Sequence, residues 1–446
     1  MSAFEPVRYA ALTDVGVKRS HNQDACAAQP AVDAAGFAAQ GHVFIVADGM
    51  GGHAVGEKAS AKAARDIPFL YSKHARDGII PAIRRAFQEA NAGIYAIGQQ
   101  NPEFRGLGTT GTALVLRPEG AWVGHVGDSR AYRIRNGLAE QLTFDHSWVW
   151  EIARRQGVDP DDLGDFKKNV IIRSLGPDPE VEVDIEGPHP VEPGDAFLLC
   201  SDGLTGVVTP QEIGAAVTAL SPDDAARFLV HLANLRGGPD NITVLIVRVP
   251  GGNGAGAEKV SRRSVTSRLW SAWNRHVAWY FTVLGAGVCL ALLSLLLRMG
   301  EVPGATMLFA LAAPLILAGV VGLVVKSQKP EPPPEVRADA APRELNVYKK
   351  HDCHITPELT ERFAQTEASL LEAMRGQGVP ADFDSHARHA NAAVAAANTG
   401  DAEAAFRARC VSFLDLAEAF HKARHKQESF RPNWTPPRKH GDGHKG

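Results

Sequence analysis

Short apolar runs and amphipathic stretches alternate over the first 249 residues, and each pattern predicts a secondary structure. The apolar runs predict buried strands at His42–Ala47, Thr110–Leu116, Trp122–Val126, Ala131–Ile134, Ala196–Cys200 and Ile242–Val249. Helical spacing of apolar residues predicts helices at Gly56–Leu70 and Pro81–Ile97. Several strands follow one another without an intervening helix, so we expect antiparallel sheets.

Beyond residue 250 two long uncharged runs replace this alternation. Val277–Leu297 and Val302–Val325 lack any charged residue, and only Arg298–Glu301 separates them. As a helix, the shorter run would span about 31 Å, which matches a bilayer core. We therefore predict a transmembrane hairpin at 277–325. Five Lys or Arg residues precede the hairpin, two follow it closely and one lies between the spans, so both flanking parts are expected in the cytoplasm.

The segments around the hairpin differ in composition. Residues 251–276 are Gly-rich and basic, and residues 326–345 are Pro-rich, so both are predicted linkers. Residues 346–430 predict a small helical domain with helices at Pro357–Met374, about Ser385–Asn398 and Ala402–His425. Thr356 is the expected N-cap of the first of these helices. The basic, Pro-rich tail at 431–446 is expected to be disordered.

Composition narrows the choice of compartment and partner. The chain has 446 residues, long for one domain, and a formal net charge of −3, which gives no reason to expect nucleic-acid binding. The five cysteines show no CxxC spacing, which favours reduced thiols in a cytosolic setting. The N-terminus lacks the basic and apolar regions of a signal peptide, so no cleaved leader is expected.

Four aspartates stand beside predicted buried strands, in short loops that contain Gly or Asn. They are Asp48, Asp128, Asp202 and Asp240. A single Asp-Gly after a strand is usually only a turn. Four carboxylates that meet near a buried core would repel one another, and divalent cations would relieve that repulsion. Hard oxygen ligands favour magnesium or manganese over zinc.

A series of motifs accompanies these aspartates in order along the chain. They are Thr13-Asp14-x-Gly16-x-x-Arg19-x-x-Asn22-Gln23-Asp24, Ala47–His53 with Gly56–Ser60, Gly106–Thr110, Gly127–Arg130, Asp145-His146-Ser147, Asn169–Gly176, Leu199–Leu204 and Gly237–Asn241. Over about residues 7–249 the chain resembles the bacterial metal-dependent Ser/Thr protein phosphatases of the type 2C class. The resemblance implies an α+β phosphatase domain over residues 1–250, in which two antiparallel β-sheets form a sandwich flanked by helices.

The same resemblance implies roles for the acidic residues. Asp48 would bridge two Mn²⁺ or Mg²⁺ ions, and the backbone carbonyl of Gly49 would bind one of them. Asp202 and Asp240 would complete the shell of the first ion, and Asp128 with Asp202 would hold a third, weaker ion. Asp24 would accept hydrogen bonds from metal-bound waters. Two such ions can share a hydroxide that attacks the phosphoryl group.

Two further residues are candidates for the chemistry itself. The resemblance places Arg19 where its planar guanidinium would hold two phosphoryl oxygens. His53 is a candidate general acid for the departing serine or threonine oxygen. The alternative for His53 is a histidine that only anchors its loop through backbone hydrogen bonds.

Together these patterns predict a membrane-anchored phosphatase of phosphorylated proteins that opposes Ser/Thr kinases. It would be a multi-pass protein of the inner (cytoplasmic) membrane, with the catalytic and C-terminal domains in the cytoplasm, and the C-terminal helices could bind a further partner. Two alternatives stay open at this point. One is a catalytically silent scaffold, and the other is a phosphatase of small or lipid phosphomonoesters.

Overall fold

The computed structural model describes residues 6–51, 56–104, 106–163, 170–251 and 345–428, together with six isolated positions between 291 and 313. Residues 1–253 and 345–446 group into one compact unit, and residues 254–344 into a second. The predicted spans at 277–297 and 302–325 lie outside the described residues, apart from those six positions. None of the helices that the structure describes is long and apolar enough to cross a bilayer.

Two antiparallel sheets form the centre of the first unit. In the described chain, the first sheet has the order β1 (Arg8–Asp14), β11 (Ile242–Arg248), β10 (Ala196–Cys200), β7 (Arg130–Arg135), β8 (Leu138–Gln141) and β12 (Lys349–Asp352). The second has the order β2 (Asp24–Gln29), β3 (His42–Met50), β5 (Gly111–Arg117), β6 (Gly120–Val126) and β9 (Asp184–His189), and β4 (Gly108–Thr109) pairs with β3. The predicted antiparallel sandwich is confirmed.

Helices cover the outer faces of both sheets. The helices of the phosphatase-like part are α1 (Ala34–Ala39), α2 (Gly56–His74), α3 (Ile79–Gln100), α4 (Trp148–Gln156), α5 (Asp202–Thr205), α6 (Pro210–Ala219) and α7 (Pro222–Leu235). Short 3₁₀ helices lie at Ala75–Asp77, Pro102–Phe104 and Pro160–Leu163. Apolar side chains such as Phe44 and Phe197 fill the space between the sheets, while α2 and α3 pack on the second sheet and α6 and α7 on the first. The result is a layered α+β fold.

The C-terminal segment packs against this fold. Its helices are α8 (Pro357–Gln377), α9 (Phe383–Asn398) and α10 (Ala402–Glu428). The Thr356 hydroxyl accepts a hydrogen bond from the Leu359 amide, so the predicted N-cap is confirmed. The ring of Phe228 in α7 lies 5.3 Å from that of Phe363 and 5.2 Å from that of Phe413, all fully buried in one core. The boundary between a phosphatase domain and a separate helical domain at 346–430 therefore stays a prediction, since both parts lie in one compact unit.

Strand β12 was not predicted from the sequence. It lies at the edge of the first sheet and pairs with β8, with Lys349 opposite Gln141 and Asp352 opposite Leu138. The Tyr348 amide donates to the Gln141 carbonyl at 2.9 Å, and the Cys353 amide to the Gly137 carbonyl at 2.7 Å. Residues from beyond the predicted linker thus extend the sheet that carries β10 and β11.

Candidate active site

The ends of several strands bring five carboxylates together at one end of the sandwich. Asp48 in β3 lies opposite Asp24 in β2. Asp202 follows β10 at the first position of α5, Asp240 closely precedes β11, and Asp128 lies in the turn between β6 and β7. Strands β10 and β11 are neighbours in one sheet and β2 and β3 in the other. The cluster therefore draws ligand candidates from both sheets.

Glycines allow the loops of this cluster to approach closely. A Cβ on Gly203, next to Asp202, would lie 1.9 Å from the Asn241 carbonyl oxygen. Gly16 has φ +78°, and a Cβ there would lie 2.1 Å from the Asp240 carbonyl oxygen. Larger residues at either position would push the aspartate loops apart.

Asn241 and Gly49 fix the loop that follows β1. The side-chain amide of Asn241 donates to the carbonyls of Val15 and His21, and its oxygen accepts from the Gln23 amide at 2.8 Å. The Gly49 amide donates to the Gln23 carbonyl at 3.0 Å, and a Cβ on Gly49 would lie 2.5 Å from that same oxygen. Gly49 is thus required for close packing, and its predicted role as a metal ligand stays a prediction.

Three of the clustered carboxylates carry a buried oxygen without a protein hydrogen-bond donor among the described residues. These atoms are Oδ1 of Asp24, Asp128 and Asp202. The other oxygen of Asp24 accepts from the hydroxyls of Ser201 and Thr243, each at 2.7 Å. Buried polar atoms normally have partners, so three orphaned carboxylate oxygens in one cluster are suited to bind a cation or its water shell.

The electrostatics of the cluster agree with this. Burial raises the pKa of Asp24 to about 6, hydrogen bonds from Ser201 and Thr243 oppose the rise, and the charges of Asp202 and Asp240 add to it. Burial, followed by the charge of Asp240, raises the pKa of Asp202 to about 6, against a hydrogen bond with Asp48.

The pKa values of Asp48 and Asp128 are also raised. Burial and then the charges of Asp24, Asp202, Asp128 and Asp240 raise the pKa of Asp48 well above its usual range. The pKa of Asp128 rises well above its usual range through burial and then the charges of Asp202 and Asp145, with Arg130 opposing. Without a cation, ionisation of all these carboxylates at once is energetically unfavourable.

Arg19 lies at the open side of the cluster. Its Nη2 atom is 2.6 Å from Oδ2 of Asp240, and half of its side chain is exposed. The guanidinium is therefore held beside a candidate metal ligand while it can still reach a ligand in solvent. The structure thus brings Arg19 together with the predicted aspartates. His53, the predicted general acid, lies outside the described residues.

A cleft of about 480 Å³ opens onto this cluster. Arg19, Asp128, Asp202 and Asp240 lie along its wall. Other residues that line the cleft are Arg130, Asp145, Trp150, Asp161, Lys349 and His351. The Arg130 guanidinium binds the buried Asp145 carboxylate, with its Nη2 2.7 Å from Oδ2.

Sequence reasoning did not assign site roles to several of these cleft residues. Arg130 and Asp145 lie within the quoted motifs, so the signal for them was present. Lys349 and His351 lie in β12, about a hundred residues beyond the motifs, and no local pattern connected them with the site.

Comparison with known proteins relates the chain to one family. The family model described as Protein phosphatase 2C matches residues 17–234. The serine/threonine phosphatase stp of Listeria monocytogenes is 34% identical over 241 residues, which cover 53% of this chain and 93% of that protein. Protein phosphatase PhpP of Streptococcus pneumoniae is 38% identical over 242 residues, covering 53% and 95%. The catalytic domain of the phosphatase PstP, solved with two manganese ions, is 30% identical with a TM-score of 0.47 and covers 55% of this chain and 99% of that one.

The two-sheet sandwich with an acidic cluster at one end is consistent with a metal-dependent phosphatase, and the similarity to the relatives identifies the family. It belongs to the protein phosphatase 2C family and is a bacterial-type serine/threonine protein phosphatase. The relatives are covered almost completely, and they match only about half of this chain.

Proposed function

We propose that this protein hydrolyses phosphoserine and phosphothreonine in other proteins with the help of divalent cations bound at the acidic cluster. The convergence of Asp24, Asp48, Asp128, Asp202 and Asp240, with three orphaned oxygens among them, carries this proposal. All donors are hard carboxylate oxygens, which suit Mn²⁺ or Mg²⁺. Among the described residues no three side chains already form a coordination shell.

The residues of the cluster would have different roles in the reaction. Asp48, Asp202 and Asp240 would hold two cations, with the Gly49 carbonyl as a further ligand and Asp128 beside Asp202 for a weaker third ion. Asp24 would orient the waters of the site. When bound, such cations neutralise phosphoryl charge and lower the pKa of a water molecule.

Arg19 would orient the phosphate group of the substrate. Its guanidinium is anchored on Asp240 and retains N–H groups that can donate to two phosphoryl oxygens. His53 remains the candidate to protonate the leaving serine or threonine oxygen.

A substrate panel tests this proposal against its alternatives. Phosphoserine and phosphothreonine peptides, a small aryl phosphate and lipid phosphates would be offered with manganese and with EDTA. We expect cation-dependent release of phosphate from the peptides at the highest kcat/KM. A preference for lipid or small phosphates would favour the second alternative, and complete inactivity with every cation would favour the silent scaffold. The substrate proteins would be sought by phosphoproteomics after gene deletion, in which their phosphorylation sites should gain phosphate.

We also propose that residues 277–297 and 302–325 anchor the protein in the inner membrane, with both soluble parts in the cytoplasm. The two uncharged runs and the basic residues outside them support the anchor. The pairing of β12 with β8 supports the topology, because a shared sheet requires residues before and after the hairpin to lie on one side of the membrane. A partner for the C-terminal helices remains a hypothesis.

Reporter fusions test this topology. Alkaline phosphatase, which needs the periplasm, should be active when fused after Glu301 and inactive when fused after Asn346. Activity at Asn346 would contradict two complete crossings.

A further inference from the structure

Strand β12 places residues of the C-terminal segment in the wall of the cleft that contains the candidate active site. We propose that Lys349 is a positioning residue that holds the flap of this cleft in place for phosphoprotein substrates. The flap is defined here as residues 148–163, which comprise α4 and the 3₁₀ helix Pro160–Leu163. This inference rests on the proposed location of catalysis at the acidic cluster.

The alternation of β12 separates two pairs of side chains. Lys349 and His351 are partly buried and line the cleft, whereas Lys350 and Asp352 are exposed. The Nζ atom of Lys350 pairs with Glu140 at 3.1 Å, away from the flap. Successive residues of a strand point to opposite faces, so the two lysines have different environments although they are adjacent.

Lys349 joins the strand to the flap through two ion pairs. Its Nζ lies 2.7 Å from Oδ1 of Asp159 and 2.7 Å from Oδ2 of Asp161. The lysine side chain is only 13% exposed, and the aspartates are 49% and 73% exposed. The hydrogen bond from Lys349 is also the main reason that the pKa of Asp159 lies below its usual range. Without the ammonium group, two neighbouring carboxylates would repel each other with no cation between them.

Aromatic contacts support the same arrangement. The Lys349 ammonium lies 5.3 Å from the centroid of the Trp150 ring in α4, within cation–π range. Trp150 packs edge-on against Phe144 at 5.1 Å, and Phe144 contacts Tyr348 of the C-terminal segment at 5.7 Å. Both ends of the flap are therefore in contact with Lys349, the first residue of β12.

The position of the flap determines which substrates should depend on Lys349. Trp150, Pro160 and Asp161 line the cleft together with Asp202 and Asp240. A phosphopeptide must extend from the acidic cluster along this wall, whereas a small aryl phosphate needs only the phosphate subsite. Loss of the anchor should therefore weaken peptide binding and leave the chemical step intact.

The test compares kcat and KM of the full-length enzyme for a phosphopeptide and for a small aryl phosphate. For Lys349→Ala we expect the KM of the peptide to rise about fivefold, the effect of losing a partly buried ion-pair contact. We expect unchanged kcat and unchanged KM for the aryl phosphate. Lys349→Arg should restore the peptide KM, since guanidinium can also bridge both aspartates. Lys350→Ala is the matched control, because it removes an ion pair from the same strand on its other face, and it should behave as wild type.

A second variant approaches the contact from the flap. The double substitution Asp159→Asn and Asp161→Asn should reproduce the selective rise in peptide KM, and adding Lys349→Ala to it should cause little further change. If Lys349→Ala fails to fold, this double variant decides the question.

Three results would overturn the inference. They are a peptide KM unchanged in both the Lys349 and the double variant, an equal change for both substrates, and the same rise in Lys350→Ala. Wild-type enzyme that hydrolysed neither substrate would instead refute the proposed function, so the two failures are distinguishable.

Discussion

Replacing Asp202 by asparagine should stabilise the metal-free protein against unfolding and remove most of the stabilisation that metal binding provides. Asp202 is surrounded by other carboxylates, and one of its oxygens has no donor among the described residues. Asparagine has nearly the same shape and carries no charge. The substitution therefore removes repulsion from the empty cluster and one ligand from the filled one.

The size of the first effect follows from the raised pKa of Asp202. Burial and the charge of Asp240 raise it from 3.8 to about 6. One pKa unit corresponds to about 1.4 kcal/mol, so ionised Asp202 destabilises the metal-free fold by about 3 kcal/mol at most. Solvent and coupling with Asp48 reduce this value, and we expect a net gain of about 1–3 kcal/mol for Asp202→Asn at pH 7.5.

The pH dependence of this gain has a definite sign. A folded-state pKa above the unfolded one means that the folded protein binds more protons between pH 3.8 and about 6, so wild-type stability falls as pH rises through this window. The advantage of Asp202→Asn should therefore be complete above pH 6 and small near pH 4.

Thermal unfolding of the full-length protein in detergent measures both effects. In EDTA at pH 7.5 the variant should melt about 1–3 °C above wild type. Manganese at about 100 times its Kd should stabilise wild type by about 2.7 kcal/mol and the variant far less, which offsets most or all of the variant's higher melting temperature. The matched control is Asp178→Asn, an exposed aspartate outside the cluster, which should change neither curve. A variant that melts below wild type in EDTA, or gains as much from manganese, would refute the reasoning.

Three other substitutions test separate parts of the account. Asp48→Asn should lower kcat by about two orders of magnitude or more with manganese while circular dichroism stays native, because this residue would orient both cations; near-normal activity would remove it from the site. Arg19→Ala should raise the KM for a phosphopeptide about tenfold with a smaller change in kcat, since the guanidinium would bind phosphate before and during the reaction; steady-state kinetics with both parameters unchanged would exclude Arg19. Phe363→Ala should lower the free energy of unfolding by about 3–5 kcal/mol in urea titrations, because its buried ring packs against Phe228; a loss below about 1 kcal/mol would mean that the C-terminal helices add little to the shared core.

The sequence predicted the parts of the site that local pattern determines. An apolar run that ends in Asp-Gly identifies a buried strand, so the positions of Asp48 and Asp202 near strand ends were predictable. The predicted loop at Asp48 was wrong, because β3 continues through Asp48 to Met50, and Asp202 begins α5. The sequence did not predict which carboxylate oxygens lack donors, or that Arg19 pairs with Asp240. Both features depend on loops that are distant in sequence and meet only in the folded protein.

For the C-terminal segment, too, the sequence predicted local structure but not the contacts between distant parts of the chain. The helix predicted at Pro357–Met374 is present as α8, but the prediction did not identify the surface that α8 covers. A signal was present in α7, whose consecutive residues Phe228, Leu229 and Val230 are all apolar and buried. They point to different sides of the helix, so α7 needs a partner on more than one side. Strand β12 had no such signal, since its sequence Lys-Lys-His-Asp lacks an alternation of apolar and polar residues. It pairs with β8 because the edge of β8 offers backbone groups that can form hydrogen bonds.

The central claim is that the acidic cluster binds the catalytic cations, and anomalous diffraction at the manganese absorption edge tests it most directly. Crystals of the full-length protein grown with manganese should show two strong peaks at the cluster. Both should lie about 2.0–2.3 Å from oxygens of Asp48, and one should also contact Asp202 and Asp240. Crystals of Asp48→Asn under the same conditions should lose at least one peak. Manganese bound elsewhere, with an empty cluster in crystals of protein that hydrolyses phosphopeptides, would contradict the account.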